Sequence, residues 1–205
     1  MVAQIYLIRH GETEWSLNGR HTGSTDLPLT ENGERRATRL RGLLQGIEFT
    51  HVLSSPLRRA RRTCELAGFG AVARVEPELH EWDYGDYEGR TSVDIRAERA
   101  GWNIFADGCP HGESTEQISQ RADRVLCGLR PMEGTVALFS HGQFLRVLAA
   151  RWIGLPVREG QHLALSTASV SILGFEHHSG EIPAISLWNG GSSSDLGPSA
   201  SPGTG

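Results

Sequence analysis

This chain of 205 residues has few cysteines, no excess of basic residues and only short apolar runs. Each of these features argues against a class of protein. Its three cysteines, Cys64, Cys109 and Cys127, form no CxxC pair, so neither a disulfide framework nor a structural zinc site is expected. Lysine and arginine number 20 against 24 acidic residues, and the net charge of −4 argues against a nucleic-acid-binding protein. Hydrophobic residues make up 38%, too little for a membrane bundle and too much for a disordered chain.

The two ends of the chain bear on its organisation. Residues 1–8 lack the basic segment and the small-residue cleavage site of a signal peptide, so a cytoplasmic, reducing setting is the default expectation. From Gly190 to Gly205 the sequence consists mostly of glycine, serine and proline, without apolar periodicity. We therefore expect one globular domain at residues 1–189, followed by a flexible tail at residues 190–205.

Short apolar runs typical of strands alternate with amphipathic stretches typical of helices. The predicted strands are residues 4–8, 51–54, 71–75, 135–139, 168–175 and 182–188. Thr30 is predicted to cap one helix, Ser55 and the proline after it to open a second, and Ser114 with Gln117 to form the capping box of a third. This alternation predicts an α/β fold, a three-layer α/β/α sandwich with a mostly parallel central sheet. Residues 82–112, which are poor in apolar periodicity, are predicted to form a small excursion over the active site.

Histidines and arginines follow three of the predicted strands. Arg9 and His10 follow the first, Arg58 and Arg59 lie just after the second, and His141 follows the central one. Because ligands in open α/β sheets bind at the carboxyl ends of the strands, we expect these side chains to meet at one edge of the sheet. A glycine directly after each histidine would let the backbone approach an anion closely.

Such a set of side chains suits phosphoryl transfer. A neutral imidazole is a competent nucleophile toward phosphorus, and the planar fork of arginine pairs with two phosphoryl oxygens at once. The sequence has no spacing of acidic or histidine residues typical of a metal site, so we expect no metal and no cofactor. The arginines would supply the positive charge instead. The sequence thus predicts metal-independent phosphoryl transfer through a phosphohistidine.

A leaving alkoxide also needs a proton, and Glu81 is the predicted source. It lies among aromatic residues directly before the excursion, where burial and a nearby phosphate would keep the carboxyl group protonated near neutral pH. Asp83 and Asp86 are the alternative donors. Aromatic surfaces in the same stretch can stack on a sugar or another organic group. The aromatics predicted to wall the substrate pocket are Trp82, Tyr84, Tyr87 and Trp102.

The run LIRHGETEW at residues 7–15 resembles the signature of the histidine phosphatase superfamily, in its phosphoglycerate mutase-like branch. Further blocks follow in the family's order: GRHTG at 19–23, DLPLT at 26–30, SPLRRA at 55–60, residues 79–89, and SHG at 140–142. The resemblance extends from residue 4 to about residue 188. It implies that His10 is the phosphorylated nucleophile, that Arg9, Arg59 and His141 form the phosphate pocket, and that Glu81 is the proton donor.

The resemblance also implies substrate contacts. Thr22 and Gly23 match positions that contact substrate, and Ser16 stands where many relatives have asparagine. We add Gly142 because its backbone can approach the phosphate closely. The seven histidines other than the two at strand ends, His21 among them, are interpreted as ordinary polar residues.

Three functions compete. In a phosphomonoesterase water attacks the phosphohistidine, in a phosphoglycerate mutase a glycerate phosphate receives the phosphoryl group, and a catalytically silent domain only binds phosphate. Mutases of the family carry an arginine after the donor glutamate and a longer basic insertion. Here Trp82 follows Glu81, and about 23 residues separate Gly89 from Glu113, which leaves little room for a basic lid. A phosphomonoesterase is therefore favoured.

Two segments narrow the substrate class. Residues 81–89 and 107–113 resemble broad-specificity and sugar-bisphosphate phosphatases, including the sedoheptulose-1,7-bisphosphatase type. The expected partner is thus a small-molecule phosphate ester, with sugar phosphates favoured among the phosphorylated metabolites, and neither a nucleic acid nor a membrane. The sequence leaves the oligomeric state open.

Overall fold

Six strands form one mixed sheet in the computed structural model, which describes residues 2–178 and 182–191. The strands are β1 (Val2–Arg9), β2 (His51–Ser54), β3 (Arg74–Val75), β4 (Gly134–Ser140), β5 (Val170–Phe175) and β6 (Pro183–Gly190). They lie in the order β3-β2-β4-β1-β5-β6. The first four pair in parallel, whereas β5 is antiparallel to β1 and β6 is antiparallel to β5. The predicted mostly parallel sheet is confirmed. Of the predicted tail, residues 192–205 lie outside the described residues.

Seven α-helices accompany the strands among the described residues. They are α1 (Glu14–Leu17), α2 (Glu31–Leu43), α3 (Arg58–Leu66), α4 (Ser92–Glu98), α5 (Ile104–Asp107), α6 (Thr115–Leu129) and α7 (Gly142–Trp152). Thr30 caps α2 by accepting a hydrogen bond from the Gly33 backbone N–H, as predicted. In the predicted capping box of α6, Ser114 and Gln117 each accept from the other's backbone N–H. None of these helices is long and apolar enough to cross a membrane.

Successive side chains of β1 point to opposite faces of the sheet and join two separate layers of the hydrophobic core. Ile5 and Leu7 pack on one face of the sheet together with side chains of α6 and α7. Tyr6 and Ile8 pack on the other face with side chains of α2 and α3. Helices therefore cover both faces at the centre of the sheet, as parallel strands require. The predicted three-layer sandwich is confirmed.

Two predicted boundaries are wrong. The N-cap of α3 is Leu57 and not Ser55. The Ser55 hydroxyl instead accepts hydrogen bonds from the His141 ring at 2.7 Å and from the Leu57 backbone N–H at 3.3 Å. The strand predicted at residues 71–75 is reduced to β3, because the two residues before it form a turn that closes on the Phe69 carbonyl.

The excursion at residues 82–112 contains α4, α5 and a 3-10 turn at Gly85–Tyr87. Although its sequence is poor in apolar periodicity, its large side chains are buried in the same cluster as those of α6 and α7. These buried aromatics are Trp82, Tyr84, Tyr87, Trp102 and Phe105. The excursion is therefore packed onto the domain through its own aromatic residues.

Candidate active site

A cavity of about 270 Å³ opens where β1 and β4 end. The ionisable groups on its wall include three arginines, two histidines and one carboxylate. They are Arg9, Arg20, Arg146, His10, His21 and Glu81. The structure thus brings the predicted nucleophile, one predicted phosphate ligand and the predicted proton donor to one edge of the sheet.

His10 lies directly after β1 and is only 5% exposed. Its backbone N–H donates to the Ser140 carbonyl at 3.0 Å, which fixes it against the end of β4. On the ring, Nδ1 lies 2.7 Å from the Gly11 carbonyl oxygen, so Nδ1 carries the proton and Nε2 keeps its lone pair. Burial, followed by the charges of Arg59 and Arg9, lowers the pKa of His10 well below its usual range. The ring is therefore neutral and able to act as a nucleophile.

Arg9 is the last residue of β1, and its Nη1 donates to the Leu165 carbonyl. Its Nε is buried and has no hydrogen-bond partner in the described part of the chain. A buried N–H without a partner is unfavourable, so this donor is available to an anion in the cavity. The backbone of Gly142 lies against the same guanidinium group.

Arg59 and His141 are fully buried behind the cavity and contact each other. Arg59 Nε donates to His141 Nδ1 at 3.1 Å, so the proton of His141 is on Nε2, which donates to Ser55 Oγ at 2.7 Å. The ring centroids of His141 and His10 are 5.1 Å apart. Burial, followed by the Arg59 charge, lowers the pKa of His141 well below its usual range. This second imidazole is therefore also neutral.

Arg59 also holds the loop between α1 and α2. Its Nη1 donates to the Thr25 carbonyl at 2.9 Å, and its Nη2 donates to the carbonyls of Thr22 and Gly23 at 3.0 Å. Glu88 holds the same loop by accepting from the backbone N–H groups of Gly23 and Thr25. The loop is thus fixed through both its carbonyl and its N–H groups. Among the described residues, the acceptors of Arg59 are carbonyl oxygens and an imidazole nitrogen, and none is a carboxylate.

Glu81 reaches the cavity from the segment before the excursion and is 6% exposed. Its Oε1 accepts from the backbone N–H groups of Trp82 and Phe144 at 2.9 Å, and its Oε2 accepts from that of Gln143 at 3.1 Å. The last two donors belong to the first turn of α7, whose N-cap residue His141 makes no capping hydrogen bond with its side chain. Glu81 therefore caps α7 while its carboxyl group lies on the cavity wall.

Arg121 anchors the backbone that carries Glu81. Its buried guanidinium forms a salt bridge with Glu113 at 2.7 Å. It also donates to the carbonyls of Glu78, His80 and Glu81. These contacts fix the position of the Glu81 carboxyl group relative to α7.

The alternative proton donors do not line the cavity. Asp83 is exposed and accepts from the Gly85 backbone N–H at 3.0 Å. Asp86 is exposed too, and its carboxylate lies 2.8 Å from the His111 ring. Of the three acidic candidates, the structure brings only Glu81 to the cavity.

Residues 5–189 match the family model of the histidine phosphatase superfamily, branch 1. The chain belongs to this superfamily. Acid phosphatase of Mycobacterium tuberculosis is 43% identical, over 90% of this chain and 92% of that protein. Sedoheptulose 1,7-bisphosphatase of Saccharomyces cerevisiae is 37% identical, over 75% of this chain and 68% of that protein. The solved structure of an open reading frame product of Mycobacterium tuberculosis is similar with a TM-score of 0.87 and 39% identity, over 92% of this chain and 98% of that chain.

These findings confirm the resemblance seen in the sequence. As a member of the histidine phosphatase superfamily, the protein is a hydrolase that removes phosphate from phosphorylated metabolites. The similar solved structure also confirms the α/β fold with helices on both sides of its sheet.

In this histidine phosphatase the predicted substrate contacts separate into two groups. Those that line the cavity are Arg9, Ser16, Thr22, Tyr84 and Gly142. Those that lie behind it or in the core are Gly23, Arg59, Trp82 and His141. The Ser16 hydroxyl is already engaged, because it accepts from the Thr13 backbone N–H at 2.9 Å and donates to the Thr13 carbonyl.

Of the four aromatics predicted to wall the pocket, only Tyr84 lines this cavity. Trp82 is fully buried, with its ring edge-on to Phe105 and its Nε1 donating to the Glu113 carbonyl at 2.8 Å. An indole whose N–H is bonded in this way is stable in the core. The tryptophan next to Glu81 therefore supports the site from the core and does not line the cavity.

The sequence analysis missed His21, which lines the cavity of the phosphatase. Its ring stacks on Tyr84 with centroids 4.7 Å apart, and Nε2 lies 3.1 Å from Ser92 Oγ. Burial, followed by the Arg96 charge, lowers the pKa of His21 to about 4, so the ring is neutral near pH 7. Its position beside Thr22 in the GRHTG block was the signal that could have identified it.

Gln143 and Arg146 on α7 were missed as well, although both line the cavity. Arg146 Nη1 donates to Gln143 Oε1 at 2.7 Å. Both lie beyond the SHG block, inside the helix that follows β4. Their separation of three residues on one helix was the available signal, because it places both side chains on one face.

Gly142→Ala is expected to lower kcat/KM by about 10- to 100-fold, because it would displace Arg9, the predicted phosphate ligand, and misplacing such a group is costly in catalysis. A Cβ at this position would lie 3.1 Å from Arg9 Cζ and Nε, so the guanidinium would have to move. The measurement is steady-state hydrolysis of an aryl phosphate. Gly128→Ala is the control: a Cβ there meets nothing within 4 Å on α6. This control should keep full activity and gain up to about 1 kcal/mol of stability. Unchanged kcat/KM in Gly142→Ala would contradict the contact.

Proposed function

We propose that the protein is a metal-independent phosphomonoesterase that acts through a phosphohistidine at His10. Its substrates are small phosphorylated metabolites, sugar phosphates among them. The observation that carries the proposal is the hydrogen bond from His10 Nδ1–H to the Gly11 carbonyl at 2.7 Å. That bond leaves the lone pair of Nε2 for attack on phosphorus, in a buried ring beside Arg9.

In the first step of this mechanism the phosphoryl group binds between His10 and Arg9. The unpartnered Nε of Arg9 donates to a phosphoryl oxygen. His10 Nε2 then forms a bond to phosphorus while the bond between phosphorus and the ester oxygen breaks. Glu81 gives its proton to the leaving oxygen, so the alcohol departs as a neutral molecule.

In the second step water attacks the phosphohistidine. The Glu81 carboxylate takes a proton from the water as its oxygen bonds to phosphorus, and the bond between phosphorus and nitrogen breaks. Inorganic phosphate leaves, and His10 returns to the neutral form with Nε2 unprotonated. Glu81 is again protonated and ready for the next ester.

Arg59 and His141 complete the phosphate pocket in this proposal. The Arg59 guanidinium is fully buried and bonded to neutral acceptors, so its charge is free to act on the phosphoryl group through the low-dielectric interior. Its field also disfavours protonation of His10, which keeps the nucleophile in its reactive form. We assign His141 the role of orienting Arg59, because its Nδ1 accepts from Arg59 Nε.

Positive charge in the proposed reaction comes from arginine. No group of three or more histidine, cysteine or acidic side chains within residues 2–178 and 182–191 is placed to hold a metal ion. Arg9, Arg20 and Arg146 line the cavity itself, and Arg59 lies behind it. Fixed guanidinium groups can stabilise the phosphoryl oxygens throughout the transfer.

The test of the proposed function is hydrolysis after exhaustive treatment with EDTA. Activity on an aryl phosphate and on a sugar phosphate should be unchanged, because the charge in the pocket is part of the chain. A metal-dependent phosphatase treated in parallel shows that the chelation was complete. Activity that is lost and then restored by magnesium or zinc would overturn the arginine-based mechanism. If the protein interconverted the two monophosphoglycerates faster than it released phosphate from any ester, a mutase would replace the proposed phosphatase.

A further inference from the structure

The segment that leads into β5 forms a loop beside the catalytic cavity. It comprises residues 163–169, and we call it the 163–169 loop. Its end extends the antiparallel pairing of β1 with β5. Arg9 donates its backbone N–H to the Ser169 carbonyl at 3.2 Å, and Ala168 donates its own to the His10 carbonyl at 3.0 Å. The loop is therefore bonded to the backbone of the proposed nucleophile and of the residue before it.

The 163–169 loop also supplies the contact that orients the Arg9 side chain. Arg9 Nη1 donates to the Leu165 carbonyl, and among the described residues this is the one hydrogen bond that the Arg9 side chain makes. Leu165 itself lines the catalytic cavity. Because a guanidinium group is a planar, rigid fork, a bond at Nη1 also sets the direction of the unpartnered Nε. The place of the Leu165 carbonyl thus determines where Arg9 presents its free donor.

One residue of the loop has an unfavourable backbone conformation. Ala168 has a φ of 52° and is buried. A residue with a Cβ pays for this left-handed conformation and keeps it only where surrounding contacts hold it. The shape of the 163–169 loop therefore depends on contacts from outside the loop.

Two side chains from other elements provide such contacts. Arg36 on α2 donates from Nη2 to the Thr167 carbonyl at 2.8 Å and from Nη1 to the Thr167 hydroxyl at 3.2 Å. Asn189 on β6 accepts from the Ser166 backbone N–H at 2.7 Å through its Oδ1. These side chains thus hold the two residues that directly follow Leu165.

We propose that Arg36 and Asn189 are positioning residues, which hold the 163–169 loop so that the Leu165 carbonyl directs Arg9 at the phosphoryl group. Neither lines the catalytic cavity, so they act through the loop and not on the substrate. The inference rests on the proposed function, because it takes Arg9 to be a ligand of the phosphoryl group. When either contact is lost, the loop relaxes and Arg9 loses its fixed direction, which is costly in catalysis.

Asn189→Gly is the first test. Asn189 has a φ of 58°, which glycine keeps, so the substitution removes only the side-chain contacts with Ser166. We expect kcat/KM for p-nitrophenyl phosphate to fall about 5- to 30-fold, and the inhibition constant of inorganic phosphate to rise by a similar factor, because Arg9 would bind both less well. Asn189→Asp should restore most of the activity, since aspartate tolerates a positive φ and its carboxylate accepts from the Ser166 N–H.

Arg36→Lys tests the contact on the other side of the loop and keeps the positive charge. Lysine has no planar fork to bond both oxygens of Thr167, so kcat/KM should fall about 3- to 10-fold. Arg39→Gln is the matched control on α2, because Arg39 is exposed and does not line the cavity. It should change neither kcat/KM nor the inhibition by phosphate. Thermal unfolding shows whether each variant is folded.

The double variant of Asn189→Gly with Arg9→Gln separates positioning from a general structural role. Arg9→Gln alone should lower kcat/KM more than about 10-fold. A residue that acts only through Arg9 has nothing left to position in this background, so adding Asn189→Gly should cost less than about twofold more.

Losses that multiply in the double variant would overturn the inference. Unchanged kcat/KM and unchanged phosphate inhibition in both Asn189→Gly and Arg36→Lys would overturn it too. If Arg9→Gln alone left hydrolysis and phosphate inhibition unaltered, the proposed function would fail instead, because Arg9 would then not bind the phosphoryl group.

Discussion

Replacing His10 with alanine is expected to reduce phosphate release by more than about 10⁴-fold, because no other group can take the place of the covalent nucleophile. Two other wall residues are already engaged, because Nε2 of His21 contacts Ser92 Oγ and Glu81 accepts from backbone N–H groups of α7. The loss should be the same for sugar and aryl phosphates. Both need the bond from Nε2 to phosphorus.

The fold of His10→Ala should be intact. The ring forms one hydrogen bond, to the Gly11 carbonyl, and the backbone bond to Ser140 does not depend on the side chain. Thermal unfolding and circular dichroism check this point. His111→Asn is a matched control, because His111 is exposed, lies outside the cavity and has a positive φ of 55° that asparagine tolerates.

A trapping experiment gives the identity of the nucleophile directly. The enzyme is mixed with substrate, denatured at neutral or alkaline pH to preserve phosphohistidine, and digested for mass spectrometry. We expect one phosphate on the peptide with His10, and none in the alanine variant. Phosphate on a serine, aspartate or cysteine would require a different mechanism.

Glu81→Gln is expected to slow hydrolysis of sugar phosphates by about 10²- to 10⁴-fold, the usual contribution of a general acid. Aryl phosphates depart without a proton, so their first step should be nearly unaffected. Their second step still needs the Glu81 carboxylate as a base. The variant should therefore accumulate phosphohistidine and release the aryl alcohol in a burst, which a stopped-flow trace measures.

Two controls accompany this variant. Asp83→Asn tests the exposed alternative beside it and should keep full activity on both substrate types. Thermal unfolding tests whether glutamine still caps α7, since Glu81 accepts from Gln143 and Phe144. An equal, small loss on sugar and aryl phosphates would show that Glu81 is not the proton donor. Asp83 and Asp86 would then be the remaining acidic candidates.

The sequence predicted the parts of the fold that depend on local patterns. The alternation in β1, the capping of α2 by Thr30 and the capping box at Ser114 all follow from residues a few positions apart. The placement of Arg9 and His10 followed from strand ends in an α/β sheet. These features depend on neighbours in the sequence or on a general rule of topology.

The features that the sequence did not predict depend on tertiary contacts. Ser55 is not the N-cap of α3, because the distant His141 occupies its hydroxyl. Trp82 is in the core because Glu113 supplies a carbonyl for its indole N–H. His21 lies in the loop between α1 and α2 and Arg146 lies on α7, so they share a wall only when these distant parts of the chain pack together. Contacts between residues far apart in the chain leave no periodic pattern in the local sequence.

The same kind of hydrogen bond holds the guanidinium groups of Arg9, Arg59 and Arg146 in place. Each donates to backbone carbonyls, and no carboxylate of the described chain forms a salt bridge with any of them. The pocket therefore carries positive charge that favours the binding of an anion. The product, inorganic phosphate, is the smallest ion that satisfies it. We expect the product to inhibit turnover and to stabilise the folded state, by about 2.7 kcal/mol when phosphate is at 100 times its dissociation constant. Hydrolysis in a phosphate-rich medium is then slowed before the ester is exhausted.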